Sequence, residues 1–379
     1  MPKMFLVYFL GSVIFTNFIF LVLDKKIVIN FPQLIKDRIF LCACIFLLIN
    51  IFSFSINLLF GAEWYTMFFG YYGRFSGGLL SLLYYFGLYF VAKHVFEKSD
   101  YEKLLNFGVI SYLLVLVFAF FQQLGLFGNV PERIYGTFGQ PNWLANFIVL
   151  LTPLVLHKFV FSKKYERVIW LGMFVLSVTV LWLTYSTSGF IGLVVGVLAY
   201  LIINRKALGK YIYFLFSTFL GLLIFLLIFN PGIFLDKVYD AYYSVFGTGV
   251  EFRASDPGVI RLGVWQGTLN LAFSSFKNLL VGVGPERFPY EFPFFRVGKL
   301  NYASEWDFIV NKPHNYFLEV LSELGIFGLV SFVFLSVYLI KKLKPELSSG
   351  VIAMLICLVF GFPVVAIEVW FWFLLASDL

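Results

Sequence analysis

Apolar runs of roughly 20 residues, the length that crosses a bilayer as a helix, follow one another along most of the chain with short polar breaks between them. About eleven spans (10–12) are predicted, near 4–23, 39–60, 77–96, 104–124, 142–160, 168–185, 189–203, 211–229, 316–340, 349–366 and 368–377. The last two are shorter and interrupted. The first is too long for a signal-peptide core and lacks a small-residue cleavage site, so it is predicted to remain as a span. The fold class read from this pattern is all-α: one polytopic membrane domain over 1–379, with a single large extracytoplasmic loop at 230–313.

Composition agrees. The chain is 61% hydrophobic and 13% charged, against about a quarter charged in soluble domains. The net charge of +7 does not point to nucleic acid, because the cations follow a topological rule. Lys25, Lys26, Lys36 and Arg38 share one loop, and Lys93, Lys98 and Lys103 flank the next on that side. Lys158, Lys163, Lys164 and Arg167 follow, then Arg205, Lys206 and Lys210, then Lys341, Lys342 and Lys344. Alternate loops rich in Lys and Arg are cytoplasmic. The N-terminus is then outside, with Lys3 as a mild dissent. Cys42, Cys44 and Cys357 lie inside apolar runs and read as packing residues.

The 230–313 loop balances its acidic and basic residues and is patterned rather than linker-like. "SDPGVIRLGVWQGTLNLAF" reads as a helix with Asp256 at the cap and Pro257 in its first turn. "GVGPERF" (282–288) reads as a glycine turn opening another short helix.

Polar groups are costly in a bilayer, so clusters at one depth point to a site. The clusters here map to the extracytoplasmic side: Arg74 in "YYGRFSGG", "YGTFGQPN" with Gln140 and Asn142, "TYSTSG" with Ser186 and Ser188, Arg261, Arg287, and Pro313-His314-Asn315. His94 and His157 instead sit beside lysines at cytoplasmic helix ends, as snorkelling interfacial residues do. Spans starting near Asn142, Gly189 and His314 run from outside to inside and present positive N-terminal ends outward. Three such ends and up to three arginines suit a diphosphate. Each helix start is equally well explained as ordinary capping, and only their shared face favours a ligand.

A histidine at a helix N-terminus is held neutral and is free to accept a proton, which makes His314 a candidate general base. Asn315, Glu319 and Glu323 recur every four residues below it, a polar stripe that can orient a hydroxylated substrate. The plain alternative is an interfacial histidine on a capped helix. The sequence has no metal-ligand spacing, Walker loop or dinucleotide fingerprint. No cofactor and no metal are expected, so arginines would stabilise a leaving phosphate.

"YGTFGQPNWLANFIVLLTPL" with "HNYFLEVLSELGIFGLVSF" resembles the O-antigen ligase and polymerase superfamily of bacterial envelope glycosyltransferases. So do "GRFSGGLLSLLYY" and "RLGVWQGTLNLAFSSFKNLLVGVGPERF", in the family's order over roughly 70–340. One departure is Ser186-Thr187-Ser188-Gly189, where the family often carries Ser-Arg-Gly; Arg74 or Arg287 are the substitutes at hand. The resemblance implies a GT-C-like membrane enzyme in the bacterial cytoplasmic (inner) membrane, with its active site on the extracytoplasmic face. It would transfer a glycan from undecaprenyl diphosphate to a hydroxyl of lipid A-core or of a growing glycan, inverting and without metal. His314 would be the base and Arg261 would stabilise the leaving diphosphate. Arg74, Arg287, Gln140, Asn142, Ser186, Ser188, Asn315 and Glu319 would bind diphosphate or glycan. Within the resemblance, ligase is favoured over polysaccharide polymerase and protein O-oligosaccharyltransferase. A lipid-linked oligosaccharide flippase is the alternative of another class.

Overall fold

A computed structural model describes residues 2–209, scattered positions from 212 to 224, 257–302 and 307–377. All regular structure among the described residues is helical. In chain order the helices are α1 (Pro2–Leu23), α2 (Phe31–Leu34), α3 (Arg38–Leu59), α4 (Trp64–Phe69), α5 (Leu79–Val95), α6 (Lys98–Gln123), α7 (Pro141–Phe161), α8 (Lys164–Leu183), α9 (Thr187–Ile203) and α10 (Arg205–Leu208). After the long loop begins come α11 (Pro257–Ala272), α12 (Phe276–Val281), α13 (Phe288–Glu291), α14 (Tyr316–Lys342), α15 (Pro345–Leu358) and α16 (Val365–Ala376).

Six of these, α1, α3, α6, α7, α8 and α14, are long and apolar enough to cross a membrane. The chain is a multi-pass membrane protein. The expected total of about eleven spans is not confirmed. α5, α9, α15 and α16 are apolar but stop at 17, 17, 14 and 12 residues, and the expected span at 211–229 lies mostly outside the described residues. The final pair shows why the shorter helices end early. Its connection, 359–364, leaves the helical path to form part of the site described below.

The centre of the bundle is α7, in which every residue from Leu144 to Leu156 is buried. A helix apolar all round belongs inside a bundle, and α8, α9 and α15 surround this one. Close approach is set by small residues, as membrane helices require. A Cβ on Gly192 would meet the Cys357 sulfur at 2.6 Å, and one on Gly196 would meet the Ala353 Cβ at 2.7 Å. α9 and α15 therefore pack almost backbone to backbone.

α14 is broken at Gly325, whose φ is 69° and ψ −169°. The carbonyls freed before the break are taken up by another chain segment: Val283 N–H donates to the Ser322 carbonyl and Gly284 N–H to that of Glu323, both at 2.9 Å. Ser53 Oγ donates to the carbonyls of Val281 (2.7 Å) and Glu323 (3.1 Å). Gly282 and Gly325 both take positive φ, and a side chain on either would strike the backbone of the other segment. This satisfies non-helical backbone within protein, the condition for its occurrence at membrane depth. The predicted loop elements appear as the helix beginning at Pro257 and the glycine turn before α13; the Asp256 cap lies outside the described residues.

The orientation from basic loops has a direct test at two exposed side chains. Tyr302, 78% exposed, follows α13, and Tyr165, 86% exposed, opens α8. Tyr302→Cys should react with an impermeant maleimide added outside intact cells, and Tyr165→Cys should not. Labelling at 165 alone would invert the map.

Candidate active site

Five non-glycine residues among the described ones adopt left-handed backbone: Lys25, Phe75, Tyr185, Glu286 and His314. Such conformations cost about 1–3 kcal/mol each and persist where the surroundings impose them. Four of the five adjoin or belong to the polar segments singled out above. Phe75 follows Arg74, Tyr185 precedes Ser186, and Glu286 and His314 lie at the two ends of the loop segment that faces α14.

His314 sits just before α14. Asn315 is the N-cap, its side-chain oxygen accepting from Leu318 N–H at 3.1 Å. α11 docks on this corner through Trp265, whose Nε1 donates to the Pro313 carbonyl at 3.0 Å. Arg261 lies one turn earlier on the same helical face, and its charge acts directly on His314. Burial, then the charges of Arg261 and Arg74, push the imidazole pKa down to about 4. Desolvation and two guanidinium groups thus hold the histidine neutral at physiological pH.

Gln140, Asn142, Ser188 and His314 line one small cavity of about 20 Å³, closed by Trp143 and Phe362. That is room for a single water or hydroxyl. The N-terminal ends of α7, α9 and α14 thus meet here. Ser186 caps α9 by accepting from Gly189 N–H, donates to Asn142 Oδ1 at 2.8 Å and lies 3.1 Å from Ser188 Oγ. An arginine does stand beside this turn, and it is Arg133: its Nε donates to the Thr184 carbonyl at 2.9 Å and its Nη2 to Asn142 Oδ1 at 3.2 Å. Arg287, by contrast, pairs with Glu291 at 2.7 Å, lies over the Tyr290 ring and lines neither cavity.

On the other side of Trp143 and Phe362 lies a larger cavity of about 430 Å³, within the range of small-molecule sites. Arg74 lines it, its guanidinium 5.2 Å from the Phe362 ring centre, with Nε and Nη2 lacking a hydrogen-bond partner. Opposite stands a buried cluster. Lys312 Nζ lies 2.5 Å from Glu286, 2.5 Å from Glu319 and 3.9 Å from Glu323. Glu323 Oε2 also accepts from Glu286 N–H at 2.9 Å, which ties the glycine turn to α14. Burial alone would lower the Lys312 pKa, but the three carboxylates outweigh it and raise it above the ordinary lysine value. Glu368, from α16, lines the same cavity.

The three carboxylates approach within 4.8 Å of one another, a grouping of the kind that can hold a metal ion. Sequence spacing gave no hint of it, since the ligands come from 286, 319 and 323; here an ammonium stands where a cation would. Lys312, Glu286, Glu368, Arg133, Trp265 and Phe362 all escaped the sequence reading. Only Lys312 left a signal, as a charge two residues from His314 beside a proline. Glu319, Glu323 and Glu368 all sit on helices. His157, expected to snorkel, is instead 3.2 Å from Tyr200 Oη and 3.7 Å from Glu346 at the opposite end of α7.

The cluster generates a stability prediction. Removing one partner of a buried ionic group costs about 3–5 kcal/mol. Lys312→Met should therefore lower the thermal midpoint of the detergent-solubilised protein markedly, and adding Glu319→Gln should recover part of the loss. An unchanged midpoint for the single variant would overturn the pairing.

No curated protein matches the chain. Residues 172–333 match the family described as O-antigen ligase, a segment that spans the Ser186 turn, Arg261, the glycine turn, Lys312 and His314. Over that segment, less than half of its length, the chain is similar to the O-antigen ligase family.

Proposed function

We propose that this chain is a GT-C-like, metal-independent glycan ligase working at the extracytoplasmic face of the bacterial cytoplasmic membrane. Its donor is a glycan on undecaprenyl diphosphate, and its acceptor is a hydroxyl of lipid A-core or a similar glycolipid. The observation that carries this reading is His314, held neutral by burial and two arginines, opening on a cavity of hydroxyl size. In the reaction, the acceptor hydroxyl gives its proton to the free ring nitrogen as its oxygen bonds to the anomeric carbon. The bond from that carbon to the diphosphate breaks in the same step, with inversion. The charge left on the lipid diphosphate is met by Arg74, which lines the larger cavity, and by Arg261, whose charge already reaches His314. Gln140, Asn142 and Ser188 hold the acceptor hydroxyl, and Ser186 and Asn315 keep two helix ends in place. Repeated transfer to a growing glycan would make the same site a polymerase.

A second reading is a carrier that moves a lipid-linked glycan without chemistry. It is favoured by the buried ionic groups around the larger cavity, since such groups line substrate pathways in transporters.

Purified protein supplied with undecaprenyl-diphosphate glycan separates the readings. His314→Ala should slow transfer by about 10²–10⁴-fold while donor binding persists. Arg261→Ala should weaken both binding and turnover, and Arg261→Lys should rescue poorly because a point charge cannot replace a planar fork. Near-wild-type transfer by His314→Ala would sink the base assignment; no transfer by wild type, with glycolipid movement intact, would favour the carrier.

The acid limb of the rate offers an independent check. A histidine with pKa about 4 stays a free base well below the ordinary value near 6.5. Transfer should hold from pH 7 to about pH 5 and fall only as pH approaches 4. An acid limb centred near 6.5 would mean that the working base is not this buried imidazole.

A further inference from the structure

The larger cavity holds two kinds of unsatisfied group, and their chemistry is complementary. Glu319 and Glu323 are 5% and 6% exposed, yet Glu319 Oε2 and Glu323 Oε1 have no hydrogen-bond partner. Buried polar atoms are nearly always paired, and leaving one unmade is costly. Both side chains line the cavity; Lys312 engages Glu286 Oε1 and Glu319 Oε1, Glu286 N–H donates to Glu323 Oε2, and Glu323 Oε1 lies 3.9 Å from the ammonium, beyond hydrogen-bond reach. These are unused acceptors, and they call for a ligand rich in hydroxyl donors. Arg74, lining the same space, offers the opposite: Nε and Nη2 are donors without an acceptor, and they call for an anion. Trp143 and Phe362 form a wall shared with the small cavity that contains His314. Aromatic faces of this kind suit the apolar face of a sugar ring.

We propose that this cavity is the subsite for the first sugar of the lipid-linked donor, with Glu319 and Glu323 receiving its hydroxyls and Arg74 holding the phosphate attached to it. Glu323 and Glu319 are binding residues, and Lys312 and Glu286 are positioning residues that hold the carboxylates in place. The subsite rests on the glycan-transfer reading above and adds to it a sugar-recognising element separate from the diphosphate contacts. Selectivity for the first sugar would then come from its hydroxyl pattern. A buried hydrogen-bonding site discriminates strongly against ligands that leave its groups unpaired.

The experiment compares affinities for bare undecaprenyl diphosphate and for the same lipid carrying N-acetylglucosamine, galactose or glucose, read by quenching of tryptophan fluorescence in detergent. Wild type should bind at least one sugar-bearing lipid about ten-fold or more tightly than the bare lipid. Glu319→Gln and Glu323→Gln should each lose most of that increment while keeping wild-type affinity for the bare lipid, which also reports that they are folded. Glu291→Gln, at a carboxylate paired with Arg287 outside the cavity, should keep the increment. Equal affinity of wild type for bare and all sugar-bearing lipids overturns the subsite, as does an increment that survives both glutamate variants. Failure of wild type to bind the bare lipid strikes instead at the diphosphate contacts of the proposed function, so the two readings fail separately.

Discussion

A lysine ammonium surrounded by three glutamates inside a membrane protein is the constraint on which the rest of the structure turns. Lys312 is 4% exposed, and an isolated ion at such a place would cost far more than a folded protein can offset. Its partners cannot come from one segment. Glu319 and Glu323 are supplied by the first two turns of α14, and Glu286 by the glycine turn 26 residues upstream of Lys312. Bringing them together demands the interlocked backbone of Gly282, Gly284 and the break at Gly325. It also demands the left-handed conformation of Glu286. The local strain is sustained because the ionic cluster and the paired carbonyls both require it.

That arrangement propagates to the chemistry. Lys312, fixed from below, is followed by Pro313 and His314, and the corner is fixed from above by Trp265 on α11. The same helical face then carries Arg261 to the imidazole. From the other direction, the 359–364 connection brings Phe362 against His314, Arg74 and Trp143. Phe362 and Trp143 thereby stand between a space of hydroxyl size beside His314 and a larger space lined by Arg74, Glu319 and Glu323.

The ends of the bundle differ in kind. At the end bearing His314, unpaired donors and acceptors face cavities. At the other end most of the ionic and polar groups satisfy one another, Asn204 Nδ2 excepted: Asp37 pairs with Lys93, His157 meets Tyr200 and Glu346, and Lys342 donates to the Leu375 carbonyl. Saturated pairs brace helices, whereas unsaturated ones await a partner.

The sequence by itself determined the all-helical membrane class and the positions of most helices, and it singled out His314, Arg74, Arg261 and the Ser186 turn as candidates. Those features are local: apolar length, capping residues and a rare histidine are read within a few turns of chain. It did not determine how far α15 and α16 extend, because their shared connection turns inward to meet residues more than 45 positions away. Nor could it identify Arg133 as the arginine beside the Ser186 turn, or Glu286 as a partner of Lys312. A charged residue in an apolar chain signals that it must be compensated, but not by whom. Only tertiary structure decided that, because pairing energy depends on distance in space, and the partners lie far apart along the chain.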